Sequence, residues 1–168
     1  MSLDSTAVCN VMNPNVKVDS DNQNINSACK IMADNKIGCV VIVPLGESKK
    51  PIGIFTESDV VRVLGKLAPW LMRTPLRELM SKSVITVSLS SSVKEAMQIM
   101  YSKNIRRLVV VDRDQKMVGI ITLKDIFKII NSSPEMLTEF YGPNFPMKFT
   151  EMYERFTEYK FDSPRPGL

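Results

Sequence analysis

Apolar residues in the first third of the chain fall at helical spacing in two places. Four of them lie at positions i, i+3, i+4 and i+7, on one face of a predicted helix: Ile25, Ala28, Cys29 and Met32. A second apolar run, 60–64, begins directly after Asp59 and predicts a closing helix. We also expect a short helix over 4–12, because the proline that follows it would end it.

Between these helices the apolar positions form short continuous runs. Val40–Val43 and Ile52–Phe55 are separated by the polar segment Pro44–Pro51, which is typical of a hairpin of two buried strands. Val16–Val18 predicts a short strand before the first long helix, and the polar residues 19–22 predict a turn with several helix-capping oxygens. The predicted order is strand, helix, hairpin, helix.

The second half of the chain matches the first half position by position. Pairs related by 68 positions include Met12 and Met80, Val16 and Val84, Ile25 and Val93, Ala28 and Ala96, and Ile37 and Ile105. The second hairpin turn is shorter, so Gly53–Asp59 and Gly119–Asp125 match at 66 positions. One copy of about 55 residues would leave an apolar sheet face uncovered, and pairing the copies covers it.

This repeat predicts the fold class and the division of the chain. We expect an α/β (α+β type) fold in which two tandem β-α-β-β-α repeats, 4–68 and 69–131, pack about a pseudo-twofold axis. A helical tail would follow over 132–168. In the connector between the repeats, Thr74 is expected to cap a helix whose first residue is Pro75.

Both closing segments carry a threonine three residues before an aspartate, Thr56 with Asp59 and Thr122 with Asp125. For one copy alone, a capping box explains the pattern: the hydroxyl accepts from a free backbone N–H of the first turn and the carboxylate complements the helix dipole. Two copies in matching contexts also favour a ligand site, since a helix N-terminus with a carboxylate can bind phosphate and hydroxyl groups. The two interpretations are compatible.

Composition and charge narrow the function classes. The 168 residues include no histidine and only three cysteines without a CxxC pair, which argues against a zinc site and against imidazole catalysis. Cys29 and Cys39 fall at apolar positions, and a reducing cytoplasm fits free thiols. No apolar run reaches the length of a membrane span and no signal-peptide pattern is present, so we expect no membrane association.

Beyond the repeat, the spacing predicts two helices. Ser133-Pro134 would start a short helix ending near Tyr141. An amphipathic helix is then expected on Phe149, Met152, Tyr153 and Phe156, and its mixed-charge polar face favours packing on the module or on a second subunit over a membrane surface. The proline-rich residues 162–168 are expected to fray.

The chain resembles a cystathionine-β-synthase (CBS) domain pair, the Bateman module. The resemblance is carried by the two Gly-x-x-Thr-x-x-Asp segments, by the segment 104–112, and by Val84–Val87 before an amphipathic helix; it covers about residues 8–131. It implies a stand-alone, non-catalytic regulatory module without a catalytic cofactor, which binds an adenine nucleotide or S-adenosylmethionine in clefts between the repeats. It also implies a homodimer through the lead-in and closing helices, and an effector protein that is unknown.

The resemblance assigns site residues to two clefts, each mixing the repeats. The first cleft would be formed by Thr56, Asp59, Arg106, Arg107 and Lys124, with Val84, Thr86 and Ile105 lining an adenine slot. The second would be formed by Thr122, Asp125, Gly38, Cys39 and Ser58, with Val16, Val18 and Ile37 as its slot. Only the first set contains cationic candidates, so we expect the Asp59 cleft to be the principal nucleotide site. Since strand side chains alternate, only one of the two arginines need face it.

Two other functions compete with this hypothesis. An enzyme is disfavoured, because the sequence has no nucleophile–base pair, metal cluster or P-loop. Nucleic-acid binding is suggested by the net charge of +4 and by Arg62, Lys66, Arg73, Arg77 and Lys82. These cations are interleaved with apolar residues at helical spacing, which more often marks an ordinary helix surface. A purely structural dimerisation module also remains open.

Overall fold

A computed structural model describes residues 2–47, 49–66, 69–143 and 145. The first repeat contains strand β1 (Val18–Ser20), helix α1 (Ile25–Asn35), strands β2 (Cys39–Val43) and β3 (Gly53–Thr56), and helix α2 (Glu57–Leu64). The second contains α3 (Leu76–Leu79), β4 (Thr86–Ser88), α4 (Val93–Lys103), β5 (Arg107–Val111), β6 (Met117–Thr122) and α5 (Leu123–Ser132). Helix α6 (Pro134–Tyr141) follows. The predicted order of elements in each repeat is confirmed.

Each repeat builds its own three-stranded sheet. The strand orders are β1-β2-β3 and β4-β5-β6, and in each sheet the first pair is parallel and the hairpin pair antiparallel. The apolar runs of β2 and β5 lie at the sheet centres and are almost wholly buried, which is the pattern expected of strands covered on both faces. The predicted α/β class is therefore confirmed.

The two sheets face each other through a shared apolar layer. Val41 and Val43 of the first repeat and Val109, Val111 and Met117 of the second form one buried cluster. On the outer face of each sheet, helices enclose a separate cluster, one per repeat. The apolar core therefore has three layers, two outer clusters and one shared inner cluster. Neither repeat could cover the inner face of its sheet alone, because the two inner faces cover each other.

The segment leading into each repeat packs on the other repeat. Leu3 and Val8 are completely buried in the second repeat's cluster, and the Val8 amide donates to the Ser91 carbonyl at 2.8 Å. Correspondingly, Leu76 of α3 is completely buried in the first repeat's cluster, and its amide donates to the Gln23 carbonyl at 2.7 Å. The repeats are thus joined by exchanged segments as well as by their sheets.

Two glycines permit this exchange. A Cβ atom on Gly53 would meet the Sδ atom of Met80, and a Cβ atom on Gly119 would meet the Sδ atom of Met12. Each methionine therefore crosses directly over the strand of the opposite repeat, where only glycine leaves room. The matched pair Met12 and Met80 follows from this shared packing.

Two local predictions are wrong, and two others concern residues that the structure does not describe. Residues 4–12 form no regular helix but a 3-10 turn over Val8–Asn10, because Ala7 bridges to Ser92 beside it. Thr74 does not cap α3; its hydroxyl donates to the Trp70 carbonyl, and Pro75 is the cap residue. The helix predicted around Phe149 and the frayed end over 162–168 lie outside the described residues. Within the part that is described, no helix has both the length and the apolar character needed to cross a bilayer.

Candidate functional site

Thr56 and Asp59 close a capping box at the start of α2. The Asp59 Oδ2 atom accepts from the Thr56 amide at 2.9 Å and from its hydroxyl at 2.7 Å, while the Asp59 amide donates to the Thr56 Oγ1 atom at 3.3 Å. Both side chains are buried, and Asp59 is only 3% exposed. The predicted capping role is confirmed for this copy.

The second oxygen of Asp59 is also engaged. Its Oδ1 atom accepts from Arg62 Nη2 at 2.9 Å, and the same nitrogen donates to the Leu79 carbonyl at 3.1 Å. Arg62 therefore holds the carboxylate against α3, the exchanged segment of the opposite repeat. A ligand hydroxyl would have to displace or penetrate this arrangement in order to reach Asp59.

Thr122 and Asp125 form the same capping box at the start of α5 but leave one oxygen open. Asp125 Oδ2 accepts from the Thr122 amide at 2.9 Å and from its hydroxyl at 2.6 Å. Among the described residues, no hydrogen-bond donor or cation contacts Asp125 Oδ1, and the side chain is half-buried rather than enclosed. The two carboxylates, equivalent in sequence, are thus inequivalent in access.

Arg107 joins the two repeats at the starts of their central strands. It lies opposite Thr122 in the β5–β6 ladder, and its Nη1 atom donates to the Gly38 carbonyl at 2.9 Å. The same carbonyl accepts from the Glu57 amide at 3.3 Å. A Cβ atom on Gly38 would lie 2.9 Å from a carboxylate oxygen of the exposed Glu57 side chain, which would have to move aside. Arg107 therefore groups with Gly38 and Thr122, which the sequence analysis assigned to the other cleft.

The remaining polar candidates lie around these helix starts. Cys39 lies opposite Thr56 in the β2–β3 ladder, as Arg107 lies opposite Thr122. Arg106 and Lys124 are exposed, and the Arg106 carbonyl accepts from the Leu123 amide at 3.0 Å. Ser58 is half-buried in the first turn of α2. Arg106 and Lys124 form no ion pair within the described parts of the chain.

The apolar candidates divide into two groups. Val16, Val18 and Val84 are half-buried and pack against the shared layer between the sheets. Ile37 and Ile105 instead pack against the outer clusters of their own repeats. Thr86, half-buried in β4, lies beside Val109 of that shared layer. The structure thus brings three of the five apolar candidates together between the repeats.

The sequence-based site prediction did not include Arg62, although Arg62 occupies the second carboxylate oxygen of Asp59. Arg62 was counted only as a surface cation. The available signal was its position three residues after Asp59, a spacing at which opposite charges meet on a helix. In addition, no group of three or more potential metal-ligating side chains occurs among the described residues.

Comparison with known proteins gives a consistent result. A family model described as "CBS domain" matches residues 8–66 and 76–132. The uncharacterised protein MK0525 of Methanopyrus kandleri is 41% identical over 98 residues, which are 58% of this chain and 49% of that protein. This chain spans 49%, 32%, 40% and 25% of the length of the first four curated relatives it matches.

Solved structures with the same fold include ligand complexes. The CBS domain protein PAE2072 from Pyrobaculum aerophilum, complexed with AMP, matches with a TM-score of 0.67 and 21% identity over 76% of this chain and 99% of that one. The CBS domain pair of protein MJ0100, in complex with 5′-methylthioadenosine and S-adenosyl-L-methionine, matches with a TM-score of 0.67 and 28% identity over 76% and 97%.

Proposed function

The chain belongs to the CBS-domain family, and from this premise we propose that it is a non-catalytic regulatory module that binds an adenosyl ligand between its two repeats. Two similar proteins of known structure hold such ligands: AMP in one, S-adenosylmethionine and methylthioadenosine in the other. The observation that carries the proposal is the half-buried carboxylate of Asp125, whose Oδ1 atom has no partner among the described residues and lies at a helix start beside the seam between the repeats.

We assign the ribose contact to Asp125 rather than to Asp59. A carboxylate oxygen that already has no partner can accept ribose hydroxyls without breaking an existing bond. Asp59, in contrast, is 3% exposed and ion-paired with Arg62. The expectation from charge alone, that the Asp59 cleft is the principal one, stays a prediction, and the geometry favours the reverse order.

Arg107 is the proposed phosphate partner at this site. Within the described parts of the chain only its Nη1 atom is committed, to the Gly38 carbonyl, so its other guanidinium donors remain for a phosphate oxygen. The start of α5 adds backbone dipoles that favour an anion. Lys124, exposed in the first turn of α5, is a second cationic candidate for a ligand with more than one phosphate.

The adenine ring is proposed to lie against the edge of the apolar layer between the sheets. Val16, Val18 and Val84 contribute half-buried side chains there, which is the partial exposure that a ligand slot requires. Cys39 and Thr86 lie on strands bordering this edge. Ile37 and Ile105 would support the slot from behind, through the outer clusters.

We further propose that the module works as a homodimer in a reducing cytoplasm. Val61 and Leu64 are 47% and 54% exposed on α2, a closing helix whose apolar surface would be covered by a second subunit. The three cysteines are free thiols, as expected of a protein kept in reducing surroundings. The regulatory signal would then pass to an effector protein through this pair.

A thermal-shift panel of AMP, ADP, ATP, NAD and S-adenosylmethionine tests the proposal. A ligand at 100 times its Kd stabilises the folded state by about 2.7 kcal/mol, which corresponds to a rise in Tm of roughly 5–10 °C. We expect at least one adenosyl compound to give this rise and guanosine compounds to give much less. If no adenosyl compound shifts the Tm while the protein stays dimeric, the structural dimerisation function is favoured instead.

A further inference from the structure

A hollow lies beside the outer cluster of the first repeat, where the end of α2 meets the connector between the repeats and α3. It has a volume of about 270 Å³ and lies between the end of α2, the 3-10 turn Pro69–Arg73 and α3. Its polar lining comes from Arg62, Lys66, Thr74 and Glu78, and an exposed aromatic ring, Trp70, stands at its side. Sites for drug-sized ligands are usually about 300–1,000 Å³, so this one suits a ligand smaller than a nucleotide.

Arg62 is held in place before any ligand arrives. Its Nη2 atom donates to both Asp59 Oδ1 and the Leu79 carbonyl, which occupies both hydrogens of that nitrogen. Its Nη1 and Nε atoms have no partner among the described residues, and the side chain is 35% exposed. An arginine fixed in this way loses little conformational freedom on binding an anion.

The other lining groups define what the hollow can accept. Lys66 lies one turn beyond Arg62 and forms no ion pair within the described parts of the chain, so the hollow has a second available cation. Glu78 contributes one carboxylate, which disfavours a ligand with several negative charges. Trp70 is 71% exposed, an unusual state for a large ring, and offers a face on which a flat group can stack.

We propose that this hollow binds a small planar organic anion, a single aromatic ring carrying one carboxylate or phosphate group. Arg62 and Lys66 hold the anionic group, and Trp70 stacks on the ring. The Thr74 hydroxyl donates to the Trp70 carbonyl, which fixes the backbone that carries the indole. None of the lining residues belongs to the adenosyl site proposed around Asp125, so the hollow can be tested independently of the function proposed above.

Trp70 provides a direct measurement, because it is the only tryptophan in the chain. We would titrate benzoate and phenyl phosphate into the 168-residue chain and follow Trp70 fluorescence, with saturation-transfer NMR as a second readout. Benzyl alcohol, which has the ring without the charge, and acetate, which has the charge without the ring, serve as ligand controls. We expect saturable binding of benzoate or phenyl phosphate and at least roughly tenfold weaker binding of both controls.

Two matched variants complete the test. Lys66→Ala should weaken binding about 5- to 10-fold without touching the Asp59 contact. Arg73→Ala removes an exposed cation of the 3-10 turn Pro69–Arg73 that does not line the hollow, and should change binding less than about twofold. Melting curves verify that both variants fold. Equal binding of benzyl alcohol, equal effects of the two variants, or no saturation up to about 10 mM ligand would each overturn the proposal.

Discussion

Asp59 and Arg62 form an ion pair with a distance of 2.9 Å between Oδ1 and Nη2, and the second repeat has no equivalent of this pair at the matched positions. The corresponding residues, Asp125 and Lys128, are both described and form no ion pair within 4.0 Å. The pair in the first repeat also reaches the Leu79 carbonyl and so fastens the exchanged segment to the helix start. The two halves of this module therefore share a backbone plan but present their carboxylates differently.

Arg62→Ala should destabilise the protein by about 1–3 kcal/mol, because it leaves the buried Asp59 carboxylate without its cation. The loss should stay within this range because Arg62 is 35% exposed in the native protein, where solvent weakens the ion pair. Lys128→Ala, at the matched position in the second repeat, should change stability by less than about 0.5 kcal/mol. Urea unfolding at neutral pH measures both. Equal effects of the two substitutions would show that the ion pair does not contribute to the free energy of unfolding.

The exchanged methionines predict a rescue experiment. Gly119→Ala should cost about 1–3 kcal/mol, because the new Cβ atom meets the Met12 side chain, and Met12→Ala combined with it should recover part of that loss. Gly65→Ala, at the end of α2 where φ is −62°, is the control; its new Cβ atom would lie 3.3 Å from the Val61 carbonyl oxygen, so it should cost less than Gly119→Ala. Thermal unfolding of the wild type, Gly119→Ala, Met12→Ala and the double variant measures the coupling. Additive losses at Gly119 and Met12 would contradict the close packing.

Asp19 is a buried acid at a position where the second repeat has Val87. It is 7% exposed, and its Oδ2 atom is buried with no hydrogen-bond partner among the described residues. Burying an unpartnered polar atom is costly, so Asp19→Val should raise the free energy of unfolding by about 1 kcal/mol, net of the Asp19–Ser20 hydrogen bond that it removes. The conservative variant Asp19→Asn is the control. Marked destabilisation by Asp19→Val would show that the carboxylate has a partner of its own.

The thiol of Cys29 predicts a pH dependence. Burial disfavours the thiolate and raises the pKa of Cys29. In a Cys9→Ser/Cys39→Ser variant, the rate of reaction with a thiol reagent should therefore reach half its maximum above the usual pKa of a cysteine. Because the unfolded chain loses this proton at a lower pH, the contribution of Cys29 to stability should also decrease as the pH rises through that range. A half-maximal reaction rate at a pH below the usual pKa of a cysteine would contradict the burial of the Cys29 thiol.

Much of the fold follows from residue spacing because both repeats use the same local rules. The face containing Ile25, Ala28 and Met32, the buried runs of β2 and β5, and the two capping boxes each depend on residues close together in sequence. The exchanged segments could not be predicted in this way. Leu3 and Leu76 are apolar residues near turns, and only the assembled chain shows which core each one enters.

The site shows the same limit. The residue types at the helix starts were predicted, but their presentation depends on contacts over longer distances. Arg107 reaches Gly38 across 69 positions, and Arg62 reaches Leu79 across 17 positions. Counting cations near each motif therefore favoured Asp59, whereas the hydrogen bonds leave Asp125 as the accessible carboxylate.

The most direct test measures the Kd of the adenosyl ligand found in the thermal-shift panel, with AMP as the first choice. The ligand is titrated calorimetrically into the wild type and into the variants Asp125→Asn and Asp59→Asn. The two substitutions are identical and sit at matched positions of the two capping boxes. We predict that Asp125→Asn weakens binding roughly 10- to 100-fold through loss of the charged ribose contact, and that Asp59→Asn changes it less than about threefold. Full affinity in Asp125→Asn together with lost binding in Asp59→Asn would contradict the account.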